Sequence, residues 1–163
     1  MNKTYTIIPI IAAFISQASF AEEKADVAEP TAALVSFYDA LTKGNLDAAE
    51  ELTAKFANLP ADTIAEKTAK YSEGAKNGKI VITPVPGSAK VIGDYAVITF
   101  KDGDKDRPDY DPAYLIKQDG KWKVFMKLTK WDYPLFDLTE EQKKQYRALE
   151  EWFDAEKNRL YGR

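Results

Sequence analysis

The sequence predicts one α+β domain, in which three helices precede an antiparallel sheet of about four strands and a further helix follows it. Apolar residues recur at helical spacing in the first half of the chain, and the period changes to two beyond Gly78. Asp119-Gly120 then separates two alternating runs, which is typical of a two-residue hairpin. Helices followed by a block of strands favour an α+β arrangement.

Residues 1–21 have the pattern of a cleavable signal peptide. Lys3 supplies the positive start, an apolar stretch covers 7–15, and Ser19 and Ala21 are the small residues before the cleavage point. We therefore expect a periplasmic or secreted protein that begins at Glu22 and does not span a membrane. The alternative is that residues 1–21 form a buried element of the mature fold.

The first helices follow from caps and apolar spacing. Residues 22–29 are charged and aperiodic, so a mobile leader is expected before a first helix that starts at Pro30 and ends at Gly44. Asn45 can cap a second helix, which places two helices at a tight corner. A third helix is expected at about 60–73.

Four strands are predicted by alternating apolar residues. They cover 79–85, 89–101, 112–118 and 121–129, and Gly93 is expected to form a bulge within the second. In the fourth strand one face is expected to be buried and the other, which carries three lysines, to be wet. The buried set comprises Trp122, Val124, Met126 and Leu128.

The segment after the sheet combines an aromatic connector at 131–137 with a helix that extends to about Leu160. Thr139 and Gln142 form a capping box at its start. We expect the helix to dock on its own domain, residues 30–130, and a homodimer interface is the alternative, so that both monomer and homodimer remain open. The apolar stripe consists of Tyr146, Leu149, Trp152, Phe153 and Leu160.

Composition excludes several classes of function. The chain has no histidine and no cysteine, which rules out a histidine triad, zinc sites of the usual kind and disulfides. Its net charge of −3 gives no basic footprint for nucleic acid. No cofactor, no metal and no catalytic residue is predicted.

Aspartates are concentrated between residues 102 and 111. Asp102, Asp104 and Asp106 fall at positions 1, 3 and 5 of a calcium loop, but Arg107 stands where that loop requires glycine and Ala113 where it requires glutamate. We therefore interpret the segment as a solvated connection between the second and third strands.

Three segments resemble the nuclear-transport-factor-2-like superfamily: 37–49, 93–98 and 114–124, within a likeness that covers about 30–128. The resemblance implies a cone-shaped fold, in which a curved sheet wrapped by helices leaves a pocket at its open end. The superfamily includes ketosteroid isomerases, dehydratases and proteins that catalyse no reaction. Phe37 occupies the position at which the isomerases have their oxyanion-hole tyrosine, and the histidines of the dehydratases are absent.

Five aromatic residues are the candidates for a ligand pocket, with core packing as the alternative: Tyr38, Tyr71, Tyr95, Tyr114 and Trp122. The favoured function is a non-enzymatic exported module that binds a small apolar or amphipathic ligand, or a protein partner. One alternative is an isomerase-like or dehydratase-like enzyme that uses a tyrosine beside a buried carboxylate. Another is a structural component of the cell envelope.

Overall fold

The computed structural model describes residues 12–56, 60–104, 107–125 and 138–163, and it confirms the predicted fold class. The four strands form one antiparallel sheet in the order β1-β2-β3-β4. Within these ranges no helix has both the length and the hydropathy to cross a membrane. The elements are α1 (Ala12–Lys43), α2 (Leu46–Glu51), α3 (Ala61–Lys76), β1 (Thr83–Ile92), β2 (Tyr95–Asp104), β3 (Arg107–Gln118), β4 (Lys121–Val124) and α4 (Glu140–Leu160).

Helix α1 begins earlier than predicted. It already includes residues 22–29, which were expected to form an aperiodic leader, and Pro30 lies inside it rather than at its start. Alanine, glutamate and lysine dominate this stretch, and their helix propensity does not require an apolar stripe. Pro30 removes one backbone hydrogen bond, and its ring is fully buried in return.

The corner between α1 and α2 is formed as predicted. Gly44 has a φ of +70° and ends α1. The Gly44 amide donates to the Leu41 carbonyl at 3.1 Å, and the Asn45 amide donates to the Ala40 carbonyl at 2.9 Å, which is the Schellman pattern. The Asn45 side chain then accepts from the Ala48 amide at the start of α2.

The first hairpin differs from the prediction. Gly93 is not a bulge within a strand: with Asp94 it forms the turn between Ile92 and Tyr95, which are paired residues. Its φ of +58° at the first central position suits a two-residue hairpin turn. The predicted strand 89–101 is therefore the end of β1 plus most of β2, and the irregular pairing lies between Pro84 and Ala89 instead.

The second hairpin confirms the prediction from Asp119-Gly120. Both residues have positive φ, at 51° and 73°, as a type I′ turn requires. In β4, Trp122 is buried and Lys121 is exposed, so the predicted alternation holds. Strand β4 ends at Val124, and the structural predictions for Met126, Leu128 and the connector 131–137 lie outside the described residues.

The middle strands of the sheet are buried on both faces. On one face, which we call the inner face, α1, α2 and α3 cover residues that include Ala96, Ile98, Ala113 and Leu115. On the other, the outer face, α4 covers Tyr95, Val97, Tyr114 and Ile116. Helix α4 thus docks on its own sheet, as predicted, and it covers the face opposite to the N-terminal helices.

Candidate functional site

A groove with a volume of about 620 Å³ lies on the inner face, between α3 and the segment 77–82 that leads into β1. Its size is within the range of roughly 300–1,000 Å³ that is typical of small-molecule sites. We call it the α3 groove. It is lined by Lys67, Lys70, Tyr71, Glu73, Gly74, Asn77, Lys79, Ile80, Ile82 and Phe100.

The end of α3 creates one wall of this groove. Gly78 has a φ of +66°, and the chain turns back so that the amides of Lys79 and Ile80 donate to the Gly74 carbonyl at 2.8 and 3.1 Å. These donors are occupied by the helix end and are not available to a strand. For this reason β1 begins at Thr83, and the predicted strand start at Lys79 is wrong.

The position of Ile80 is determined from two sides. A Cβ atom at Gly74 would lie 2.6 Å from the Ile80 Cδ1 atom, so a larger residue on α3 would force the Ile80 side chain to shift. From α1, the Tyr38 hydroxyl donates to the Ile80 carbonyl at 2.9 Å. The wall therefore has a defined geometry before any ligand enters, which reduces the entropic cost of binding.

The surface of the groove is amphipathic. Tyr71, Ile80, Ile82 and Phe100 are half-buried and provide apolar area. Three lysines and one glutamate provide the charged groups, a net positive site on a chain whose net charge is −3. Burial raises the pKa of the Tyr71 hydroxyl, so it remains a protonated hydrogen-bond donor at neutral pH.

The five predicted pocket residues do not share one cavity. Tyr71 lines the α3 groove, Tyr38 supports its wall, and Trp122 is buried in the inner-face core. Tyr95 and Tyr114 lie on the outer face under α4, so the sheet separates them from the other three. Their sites along the strands determine this, because successive side chains of a strand point to opposite faces.

The outer-face tyrosines form a packed aromatic core. The Tyr146 ring lies 4.8 Å from that of Tyr114 and 6.5 Å from that of Tyr95, between ring centroids. The Tyr95 hydroxyl is buried and has no hydrogen-bond partner among the residues that the structure describes. Burial, and then the nearby charge of Asp94, raises the pKa of Tyr95 to about 12. For Tyr95 the contacts support the packing interpretation, whereas the Tyr114 ring, although packed against Tyr146, also borders a groove beside α4.

Sequence reasoning missed most of the groove, namely Lys67, Lys70 and Lys79 and the apolar residues Ile80, Ile82 and Phe100. A signal was present: Lys67 and Lys70 are three positions apart on one side of α3, and Lys79 follows the glycine that ends it. A solvated helix face would have the same pattern. The backward turn of the chain distinguishes the two.

The carboxylates are arranged differently from what the enzyme alternative requires. That alternative needs a carboxylate whose pKa is raised by burial beside a tyrosine. Among the described side chains the buried carboxylate is Glu156, and its pKa is lowered, chiefly because Arg159 donates to it at 2.6 Å. Asp109 and Tyr161 are a carboxylate and a tyrosine in hydrogen-bond contact, and they lie at the exposed end of α4.

The aspartate-rich segment is extended where the structure describes it. Asp102 is paired with Asp109, and Asp104 with Arg107, across the β2–β3 hairpin. A calcium loop has a different geometry, because it folds its ligands around the ion. Asp109 contributes instead to the contact between β3 and the end of α4.

Comparison with known proteins gives one similarity. No profile of a known protein family matches the chain, and no curated protein matches it. A solved structure from Campylobacter jejuni, described as an NTF2-like transpeptidase, is similar, with 18% sequence identity and a TM-score of 0.44 over 64% of this chain and 98% of that one. A shared fold does not carry an activity with it.

Proposed function

We propose that the chain is an exported, non-enzymatic module that binds a small amphipathic ligand in the α3 groove. The observation that supports this most directly is the composition of the groove, an apolar surface bordered by a few charged groups. Such a surface is the usual form of a small-molecule site. The preformed wall at Ile80 adds to it, because little of the site has to become ordered on binding.

Binding is favoured over catalysis by the chemistry of the lining. A proton-transfer reaction needs a group whose pKa lies near the working pH. The pKa of Tyr71 is raised above its ordinary value, and the carboxylate of the lining, Glu73, belongs to an exposed residue. These two groups suit hydrogen bonding and charge balance better than acid-base catalysis.

The binding proposal can be tested with an uncharged fluorescent probe, N-phenyl-1-naphthylamine. We expect its fluorescence to rise on addition of the mature protein and to be lost in Ile82→Asp, which places a charge on the apolar surface. Val81→Asp is the matched control, because Val81 is the neighbouring residue, is 41% exposed and does not line the groove. A probe that does not bind the wild-type protein, or that binds equally to both variants, would contradict the proposal.

Export is the second component of the proposal, and it rests on the signal-peptide pattern of residues 1–21. Intact-mass measurement of the protein from the cell envelope or the medium tests it. We expect a mature chain that begins at Glu22. Recovery of most molecules with Met1 in place would contradict export.

A further inference from the structure

The charges around the α3 groove carry information about the ligand. Lys67 and Lys70 come from α3, and Lys79 comes from the segment that turns back against it. Against them stands one carboxylate, that of Glu73. Positive groups on both elements that form a groove raise the local concentration of anions there, even when the whole protein is negative.

Two of these lysines have no partner for their charge within the described part of the chain. The ammonium groups of Lys70 and Lys79 make no ion pair or side-chain hydrogen bond within the described part of the chain. Elsewhere in the same protein exposed lysines do find carboxylates, as Lys43 does with Asp39 at 2.7 Å and Lys143 with Glu140 at 2.7 Å. Lys70 and Lys79 therefore remain available to an incoming anion.

We infer that the ligand of the α3 groove is an anionic amphiphile, with one apolar chain or ring system on the Tyr71, Ile82 and Phe100 surface and a carboxylate or phosphate head at Lys70 and Lys79. This inference rests on the proposed function and specifies its ligand. The apolar surface is continuous with the lysines, so one molecule can contact both. A cationic head would face three ammonium groups, and an uncharged head would leave those of Lys70 and Lys79 without a partner.

The inference can be tested by competition against N-phenyl-1-naphthylamine, with every amphiphile below its micellar concentration. Dodecanoate and dodecyl phosphate should displace the probe, whereas dodecanol and dodecyltrimethylammonium should do so roughly tenfold less well. Sodium chloride should weaken the two anions and leave dodecanol unchanged, because salt screens exposed charges. Acetate and inorganic phosphate alone should not compete, which separates an amphiphile from a free anion.

A pair of charge-matched variants identifies the residues. In Lys70→Gln/Lys79→Gln we expect the preference for dodecanoate over dodecanol to fall to near unity. Lys121→Gln/Lys144→Gln removes the same charge from exposed positions outside the groove and should keep the preference. Both variants should bind the uncharged probe like the wild type, which also shows that they are folded.

The outcomes separate the two proposals. If the probe binds and Ile82→Asp abolishes binding, but the anionic, neutral and cationic amphiphiles compete equally, the proposed function stands and the inference about charge is wrong. A preference for anions that survives in the Lys70/Lys79 variant also overturns the inference. If the probe does not bind the wild type, the proposed function itself is wrong.

Discussion

Aromatic residues on the two faces of the sheet have different surroundings. On the outer face, Tyr95, Tyr114 and Tyr146 pack ring against ring and are buried. On the inner face, Tyr71 and Phe100 are half-buried and border the α3 groove. Aromatic content therefore does not distinguish a pocket from a core. The distinction lies in the helix that covers each face.

The helices differ in how their ends are attached. Helix α4 has 21 residues, starts with a capping box and ends where Lys157 and Tyr161 contact Asp109 of β3. It closes the outer face along three strands. Helix α3 has 16 residues, and the chain turns back at Gly78, which leaves the groove beside it. The path of the chain produces this difference, and residue composition does not.

Removal of α4 should have the largest effect. Truncation after Asp137 exposes the outer-face residues Tyr95, Val97 and Ile116. Three large side chains, Tyr146, Leu149 and Phe153, would leave the core, and each contributes about 2–5 kcal/mol. Their sum approaches the whole free energy of unfolding of a domain. We expect loss of cooperative unfolding in denaturant and new binding of an apolar dye.

Two other results of this truncation would contradict the docking of α4 on its own sheet. If the shortened protein keeps its unfolding midpoint and binds no additional dye, the docked arrangement of α4 is wrong. If it changes from a dimer to a folded monomer in light scattering, the stripe on α4 is a subunit interface.

Single cavities on the two faces should cost similar amounts. Trp122 on the inner face and Leu149 on the outer face are both buried. We expect Trp122→Ala to lower the free energy of unfolding by about 3–5 kcal/mol and Leu149→Ala by about 2–5 kcal/mol, measured in urea. Neither residue lines the groove, so both variants should still bind the uncharged probe at low denaturant. A wild-type midpoint for Trp122→Ala would contradict the register of β4.

Short-range signals predicted much of the fold. Asn45, the Asp119-Gly120 turn and the Thr139/Gln142 capping box each act within a few residues, and each appears as expected. The turn at Gly93 was missed because apolar residues continue on both sides of it. The turn depends on the positive φ of Gly93, and an alternating pattern of apolar and polar residues does not reveal such a turn.

The candidate site was harder to predict than the fold. Tyr71 and Tyr95 are both aromatic residues at regular spacing, and sequence gives no reason to place one at a groove and the other in a core. The decision depends on which face a strand residue occupies and on where α4 docks, and both are long-range properties. The third helix was predicted to end at about residue 73, although α3 continues through Gly74 to Lys76 and Gly74 admits Ile80.

A pair of hydroxyl deletions compares hydrogen bonding on the two faces. Tyr38→Phe removes the bond to the Ile80 carbonyl and should cost about 0.5–1.5 kcal/mol. Tyr95→Phe removes a buried hydroxyl without a partner among the described residues, so we expect a neutral or stabilising effect. Equal destabilisation by both changes in urea would show that the Tyr95 hydroxyl is bonded.

The Tyr95 hydroxyl also predicts how the stability of the protein depends on pH. Because the pKa of Tyr95 is raised to about 12 in the folded protein, its neutral form is favoured there over the unfolded chain, where the value is about 10. Its contribution to stability is therefore present below pH 10 and is lost as the pH rises toward 12. Tyr95→Phe should therefore unfold less readily than the wild type in this range.

A small loss of stability is expected at the contact between β3 and the end of α4. Hydrogen bonds from the Tyr161 hydroxyl and the Tyr110 amide, with Lys157 at 3.3 Å, lower the pKa of Asp109. The contact therefore stabilises the fold above the ordinary carboxyl pKa, and the stabilisation is lost as the pH falls below it. The Asp109 side chain is 60% exposed, so Asp109→Asn should cost less than about 1 kcal/mol at pH 7 in urea.

Asp102→Asn/Asp104→Asn is the comparison for Asp109→Asn. These two side chains lie outside the described set; the sequence predicts that they are solvated, so the double change should cost less than about 0.5 kcal/mol, with or without calcium. Asp109→Asn should therefore have the larger effect at pH 7, and the difference should shrink as the pH falls below the ordinary carboxyl pKa, because the Asp109 contact is then weakened. A calcium-dependent rise of several degrees in melting temperature that the double change abolishes would instead show an ion site in this hairpin. The end of α4, on the outer face, would then lie beside a metal ion.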